Sequence, residues 1–211
     1  MTDIALFPIP NLVAFPGTSV PLHVFEPRYR DMVHDAVRLQ RMIGVCHTRK
    51  QIHPGKKFKT VEQAISSNQA TYQPHEVFSA GLCEIVETTP DGRIHANIKI
   101  EGRYRIVAEV QTLPYRIVQA EELPDEDEPL DDARSLQVQI NDRLIEMTRR
   151  DSPVLTRLLA EDAWLAQTPA QFSFKLFQFL RFEPDVMQSI LETTQVSERL
   201  RRIDEVLRYA S

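Results

Sequence analysis

The sequence predicts an α+β protein whose β-rich first half holds one helix and whose second half is helical. Three observations carry this. All six glycines (17, 44, 55, 81, 92 and 102) lie in the first half, and none follows Gly102. Ile94, Ala96, Ile98 and Ile100 alternate with His95, Asn97 and Lys99, the two-residue period of a half-buried strand. Residues 121–132 read EELPDEDEPLDD, eight acids and two prolines. Like charges repel and proline blocks regular structure, so this segment reads as an exposed, solvated linker. The predicted organisation is a β domain over 1–124, an acidic linker over 125–132 and a helical bundle over 133–211.

Each element follows from local pattern. Residues 4–25 contain no Asp, Glu, Lys or Arg, and the stretch is long enough to span a bilayer. Pro8, Pro10, Pro16 and Pro21 would break such a helix. The first arginine is Arg28, so no basic region precedes the apolar run as a signal peptide requires. Buried extended chain with tight turns is expected instead. Pro27 suits a first helical position, and Tyr29, Met32, Val33, Ala36 and Val37 then share one helical face. Glu26 is expected to cap that helix. Met42–Cys46 reads as a buried strand. Residues 49–75 are polar and irregular and read as a long loop. Val77–Thr88 reads as a strand, Pro90-Asp91-Gly92 as a turn, and Glu101-Gly102 as a second turn before Tyr104, Ile106, Ala108 and Val110. Tyr115–Ala120 makes a further strand. Antiparallel neighbours joined by short turns suggest a meander or small barrel.

The second half is a string of helices. Leu136, Ile140, Leu144 and Met147 form one stripe. Ser152-Pro153 opens a second helix carrying Val154, Leu155, Leu158, Leu159 and Leu165. Thr168, Pro169 and Gln171 have capping-box form and open a third with Phe172, Leu176 and Phe179. Pro184 opens a fourth, and residues 196–209 form the last.

Composition narrows the function classes. The 211 residues are 42% hydrophobic and 26% charged, ordinary globular usage. The net charge of −5 gives no global attraction to phosphate backbones or anionic lipid, which disfavours nucleic-acid and membrane partners. Cys46 and Cys83 are the only cysteines. They form no disulfide framework, and a reducing cytoplasm is expected.

Motifs for catalysis are missing. A P-loop needs glycine five residues before its Gly-Lys pair, but Gly55-Lys56 has Lys50 there and Lys57 where Ser or Thr belongs. His75-Glu76 starts like a zinc-protease helix, yet Ser79 holds the second ligand position. No G-x-S-x-G elbow occurs. Cys46-His47, with His53 nearby, is the best metal candidate; it chelates only if the strand ends at Cys46. A buried cysteine and a loop histidine explain the pair without metal, so no catalytic residue, metal or cofactor is assigned. Lys56, Lys57 and Lys59 surround Phe58 and are the candidate nucleic-acid contacts, although one aromatic is no stacking platform. Phe174 and Phe177 point off the Phe172 stripe and imply a second apolar contact: a neighbouring helix, the β domain or a partner's segment.

The opening LFPIPNLVAFPGTSVPLHVFEPRYRDMV, residues 6–33, resembles the signature of the Lon protease N-terminal, substrate-recognition domain. The matching pieces are Leu6-Phe7-Pro8, Phe15-Pro16-Gly17, Pro21-Leu22 and Phe25-Glu26-Pro27-Arg28-Tyr29. Pro90-Asp91-Gly92, Glu101-Gly102-Arg103, Pro114-Tyr115 and the tail ETTQVSERLRRIDEVL are similar too. The resemblance implies a PUA-like β pseudo-barrel with one embedded helix, followed by a C-terminal helical bundle. It implies a stand-alone member without ATPase or peptidase regions. The signature has structural reasons of its own, with Gly17 permitting a turn and Phe7, Phe15 and Phe25 filling a core. The expected function is non-catalytic binding of exposed apolar segments of unfolded or tagged polypeptides, which a protease or chaperone would receive. The peptide-binding candidates are Phe25, Glu26, Arg28, Tyr29, Phe174 and Phe177. An RNA- or nucleotide-binding module through Lys56, Lys57 and Lys59 is the alternative. A hydrolase with an unrecognised site ranks last, since no nucleophile–base pair is visible.

Overall fold

A computed structural model describes residues 1–53 and 71–209. The chain divides into two compact units, Met1–Leu123 and Pro124–Ser211.

The first unit contains β1 (Thr2–Pro8), β2 (Ser19–Val24), α1 (Pro27–Leu39), β3 (Ile43–Cys46), β4 (Thr48–His53), β5 (Thr71–Pro74), β6 (Val77–Thr88), β7 (Ile94–Gln111) and β8 (Ile117–Glu122). Six strands form one sheet in the order β2-β7-β6-β3-β1-β8, and a further β7–β8 pairing closes it into a barrel. The pairing is antiparallel except for β1 and β3, which run parallel. A simple meander is thereby excluded. A parallel pair needs a crossover, which β2 and α1 supply.

The expected turn at Glu101-Gly102 is not a turn. β7 runs unbroken through it for 18 residues. Gly102 pairs with Ala80 and Ile100 with Gly81, so Glu101 is the extra residue of a bulge. Bulges add twist and bend a strand; β7 can therefore pair with β2 through its first half and with β8 through its second. Gly81 sits at the crossing, where an added Cβ would lie 1.7 Å from the Lys99 carbonyl oxygen.

Residues 49–75 are not wholly irregular either. Their two ends form β4 and β5, which pair antiparallel. Lys56, Lys57 and Lys59 lie outside the described residues.

Two apolar clusters fill this unit. Ile4 and Leu6 of β1 enter one with Phe78, Val118 and Ala120. Ala5 and Phe7 enter the other, with Tyr29, Met32, Val33 and Ala36 of α1. Successive strand residues point to opposite faces, so a strand covered on both reads as a continuous apolar run. Pro27 opens α1 as expected, but Glu26 at the N-cap makes no side-chain capping bond. Its carboxylate is taken by Arg28.

The second unit contains α2 (Asp131–Thr148), α3 (Pro153–Leu159), α4 (Asp162–Leu165), α5 (Pro169–Lys175), a 3-10 turn (Leu176–Gln178), α6 (Pro184–Glu192) and α7 (Val196–Tyr209). The Thr168/Gln171 capping box forms with both hydrogen bonds. Ile140, Leu144, Leu159, Phe172, Leu176, Ile190, Leu200 and Ile203 are buried. The acidic segment is fastened rather than free. Asp125 takes two hydrogen bonds from the fully buried Arg199 guanidinium, at 2.7 and 2.9 Å. Glu126 accepts from Thr194 and Gln195. Glu128 accepts from the Ser197 backbone N–H and hydroxyl, at 2.9 and 2.7 Å, and so caps α7 from outside the helix.

Candidate functional site

A groove of about 330 Å³ opens in the first unit where the charge-free N-terminal run folds back on itself. The end of β1 gives Phe7, the following turn gives Ile9 and Leu12, and β2 gives Leu22. Phe25, Glu26, Arg28 and Tyr29 close it at the start of α1, and Tyr72 of β5 completes the wall. The turn is held by two hydrogen bonds, and a ring stack supports the second. Ile9 N–H donates to the Cys46 carbonyl at 2.9 Å. Asn11, with a left-handed φ of 61°, donates its N–H to His47 Nδ1 at 3.1 Å. His47 in turn stacks on His75 with ring centroids 5.1 Å apart.

Within this apolar wall lies one ion pair. Arg28 Nη2 and Nε stand 2.9 and 3.0 Å from Glu26 Oε2, and their side chains are only 13% and 12% exposed. The Arg28 guanidinium lies 4.6 Å from the Tyr29 ring centroid, within cation–π range. The Tyr29 ring packs on Phe7 at 4.3 Å. Burial pushes the Tyr29 phenol up to about 12; Arg28 pulls it down and Glu26 pushes it further up. The phenol is therefore neutral at physiological pH and acts as an apolar surface with a polar edge.

Among the described residues, β2 stands at the end of the sheet order, paired with β7 alone. The Thr18 carbonyl accepts from Ile100 N–H. By the alternation of antiparallel ladders, Ser19, Pro21 and His23 then turn their backbone polar groups away from β7. Pro21, lacking an N–H, fits this position, because proline is tolerated where no ladder bond is needed.

Four of the six peptide-binding candidates, Phe25, Glu26, Arg28 and Tyr29, thus meet in one groove. Phe174 and Phe177 belong to the second unit. Phe174 is 7% exposed, with the Arg199 guanidinium 4.0 Å from its ring centroid, so its second contact is an internal one. Phe177 packs edge-on against Phe182 at 5.5 Å. Ile9, Leu12 and Leu22 were legible only as members of an apolar run, and Tyr72 gave no signal inside a polar stretch. At the metal candidate β3 does end at Cys46. Burial raises the Cys46 thiol far above its ordinary range, and His47 Nδ1 holds the Asn11 turn.

Barrel, helical unit and groove define a PUA-like domain followed by a helical bundle, the architecture of Lon N-terminal domains. The N-terminal domain of the Mycobacterium avium complex Lon protease matches with a TM-score of 0.69 at 18% identity, over 96% of each chain. The Lon N-terminal domain protein from Xanthomonas campestris matches with a TM-score of 0.61 at 22% identity, over 96% of this chain and 97% of that one. The sequence model of the ATP-dependent protease La (Lon) substrate-binding domain matches residues 3–208, and the chain belongs to that family. Lon protease 1 of Herpetosiphon aurantiacus is 21% identical over 97% of this chain and 24% of its own length. Lon protease of Syntrophus aciditrophicus is 24% identical over 97% and 25%. The chain spans about a quarter of the length of these curated relatives. No helix among the described residues is long and apolar enough to cross a membrane.

Proposed function

We propose that the chain is a non-catalytic polypeptide-binding module of the cytoplasm that takes exposed apolar segments of unfolded or tagged proteins into the β2–α1 groove. The observation that carries this is an apolar groove lying directly beside an edge strand. An extended segment can add to β2 through main-chain hydrogen bonds while alternate side chains enter the groove. A volume of about 330 Å³ suits one or two side chains. The Arg28–Glu26 pair offers fixed polar partners at the groove's wall. Ordering a flexible client costs conformational freedom, so affinity is on the order of micromolar. A captured segment would then pass to a protease or chaperone.

The test is fluorescence anisotropy of a labelled unfolded protein and a labelled RNA, each titrated at about 50 and about 200 mM salt. Apolar burial is barely screened by salt, so polypeptide affinity should hold. Phe25→Ala should weaken it about tenfold, the worth of an interface anchor, with the thermal melt as the folding control. RNA binding tighter than polypeptide binding, with a steep salt slope removed by changing Lys56, Lys57 and Lys59 to Ala, would establish the nucleic-acid reading instead.

A further inference from the structure

A larger cavity, about 490 Å³, lies in the helical unit between α2 and the α4–α5 connection. Its floor is fixed. Trp164 Nε1 donates to Asn141 Oδ1 at 2.9 Å, and Asn141 Nδ2 donates to the Leu159 carbonyl at 3.1 Å. Its mouth is apolar, with Val138 61%, Leu165 52% and Leu130 38% exposed. Exposed apolar side chains gathered round one opening mark a contact surface more than scattered ones do.

The charge pattern on α2 says what covers it. Leu130, Arg134, Val138 and Asp142 follow one another at four-residue steps, and all four line the cavity. Side chains so spaced share a helical face. Arg134 and Asp142 are both exposed, and neither side chain has an ion-pair partner among the described residues. Base, apolar residue and acid thus succeed one another with Val138 at the centre, and the two charges stand eight residues, about 12 Å, apart. Such a stripe is complementary to itself when reversed. In an isologous contact, residue i meets j and j meets i. We propose that this face docks a second copy of the chain, the two α2 helices running antiparallel across a twofold axis at Val138. Arg134 of each copy then faces Asp142 of the other, and the Val138 side chains pack together between the two ion pairs. The exposed Leu130 and Leu165 flank the seam and are covered by it.

The contact is small, so the dimer is a weak one, forming in the micromolar range. Sedimentation of the full chain from about 2 to about 200 µM should show a reversible monomer–dimer equilibrium. Arg134→Asp and Asp142→Arg each place like charges opposite one another twice per dimer, and each should raise the dissociation constant at least tenfold. The two variants mixed together are complementary again and should form a heterodimer. The double variant R134D/D142R should recover the homodimer. Both positions are exposed, so the melting temperature should hardly move. A chain that stays monomeric throughout, a dimer indifferent to the single changes, or a mixture that fails to pair would each overturn the proposal.

Discussion

At the scale of single residues, the heaviest demands fall on Arg199 and Gly81. Arg199 is fully buried, and a buried charge is tolerated only when paired and hydrogen-bonded. It has both oxygens of Asp125, the Ser173 hydroxyl at 2.8 Å and the Thr193 carbonyl at 2.9 Å. Removing the partner should cost more than removing the pair. Asp125→Ala is expected to destabilise by about 3–5 kcal/mol in urea unfolding, and the D125N/R199M double variant by less. Equal losses would show that the ion pair carries no special weight. At Gly81 any side chain meets the Lys99 carbonyl oxygen, which belongs to a neighbouring strand and cannot rotate away. Gly81→Ala should therefore cost about 3 kcal/mol, read in the same assay.

At the scale of elements, the acidic segment is a set of distributed caps. Glu128 meets the first turn of α7, where unpaired N–H groups and the helix dipole favour negative charge. Hydrogen bonds from Ser197 hold its carboxyl below the ordinary range; those from Thr194 and Gln195 do the same for Glu126. The sign follows from linkage. A carboxyl whose pKa is lower in the folded state gives stability that is complete above its unfolded value, 4.5 for glutamate. That stability disappears as the pH falls through the folded value. The urea midpoint followed by Trp164 fluorescence should thus be flat near neutrality and fall once the pH drops below 4.5. Glu128→Gln should lower the unfolding free energy at neutral pH by about 1 kcal/mol, the ordinary worth of a helix cap, and make the acid fall of the midpoint shallower. An unchanged acid profile in that variant would assign the capping elsewhere.

At the scale of the whole molecule, charge and motif content set the chemistry. The net charge of −5 supplies no field that would draw in a polyanion. Gly55-Lys56 is not part of a P-loop, and the matched relatives share only about a quarter of their length with this chain. The purified 211-residue chain is expected to turn over neither ATP nor casein. Turnover that survives repurification and is abolished by a substitution within the chain would refute this.

What the sequence determined by itself is local. Strand alternation at Ile94–Ile100, the proline at the start of α1 and the Thr168 capping box each involve residues a few positions apart, and each stands in the structure. The signature at 6–33 likewise holds Phe25, Glu26, Arg28 and Tyr29, which are neighbours in sequence and line one groove in the structure. What tertiary structure decided is long-range. The Glu101-Gly102 pair looked like a turn because glycine beside a polar residue is a local turn signal. Only its partners Ala80 and Gly81 make it a bulge. The acids at 125–128 looked solvated, since like charges repel and prolines interrupt the run. Arg199 and Ser197, some 70 residues away, turn them into fasteners. The second contact of Phe174 could be a neighbouring helix, the β domain or a partner's segment by sequence, until Arg199 came to lie over its ring. Pairings of this kind carry no periodic trace in the sequence, because their energy exists only once distant elements have packed together.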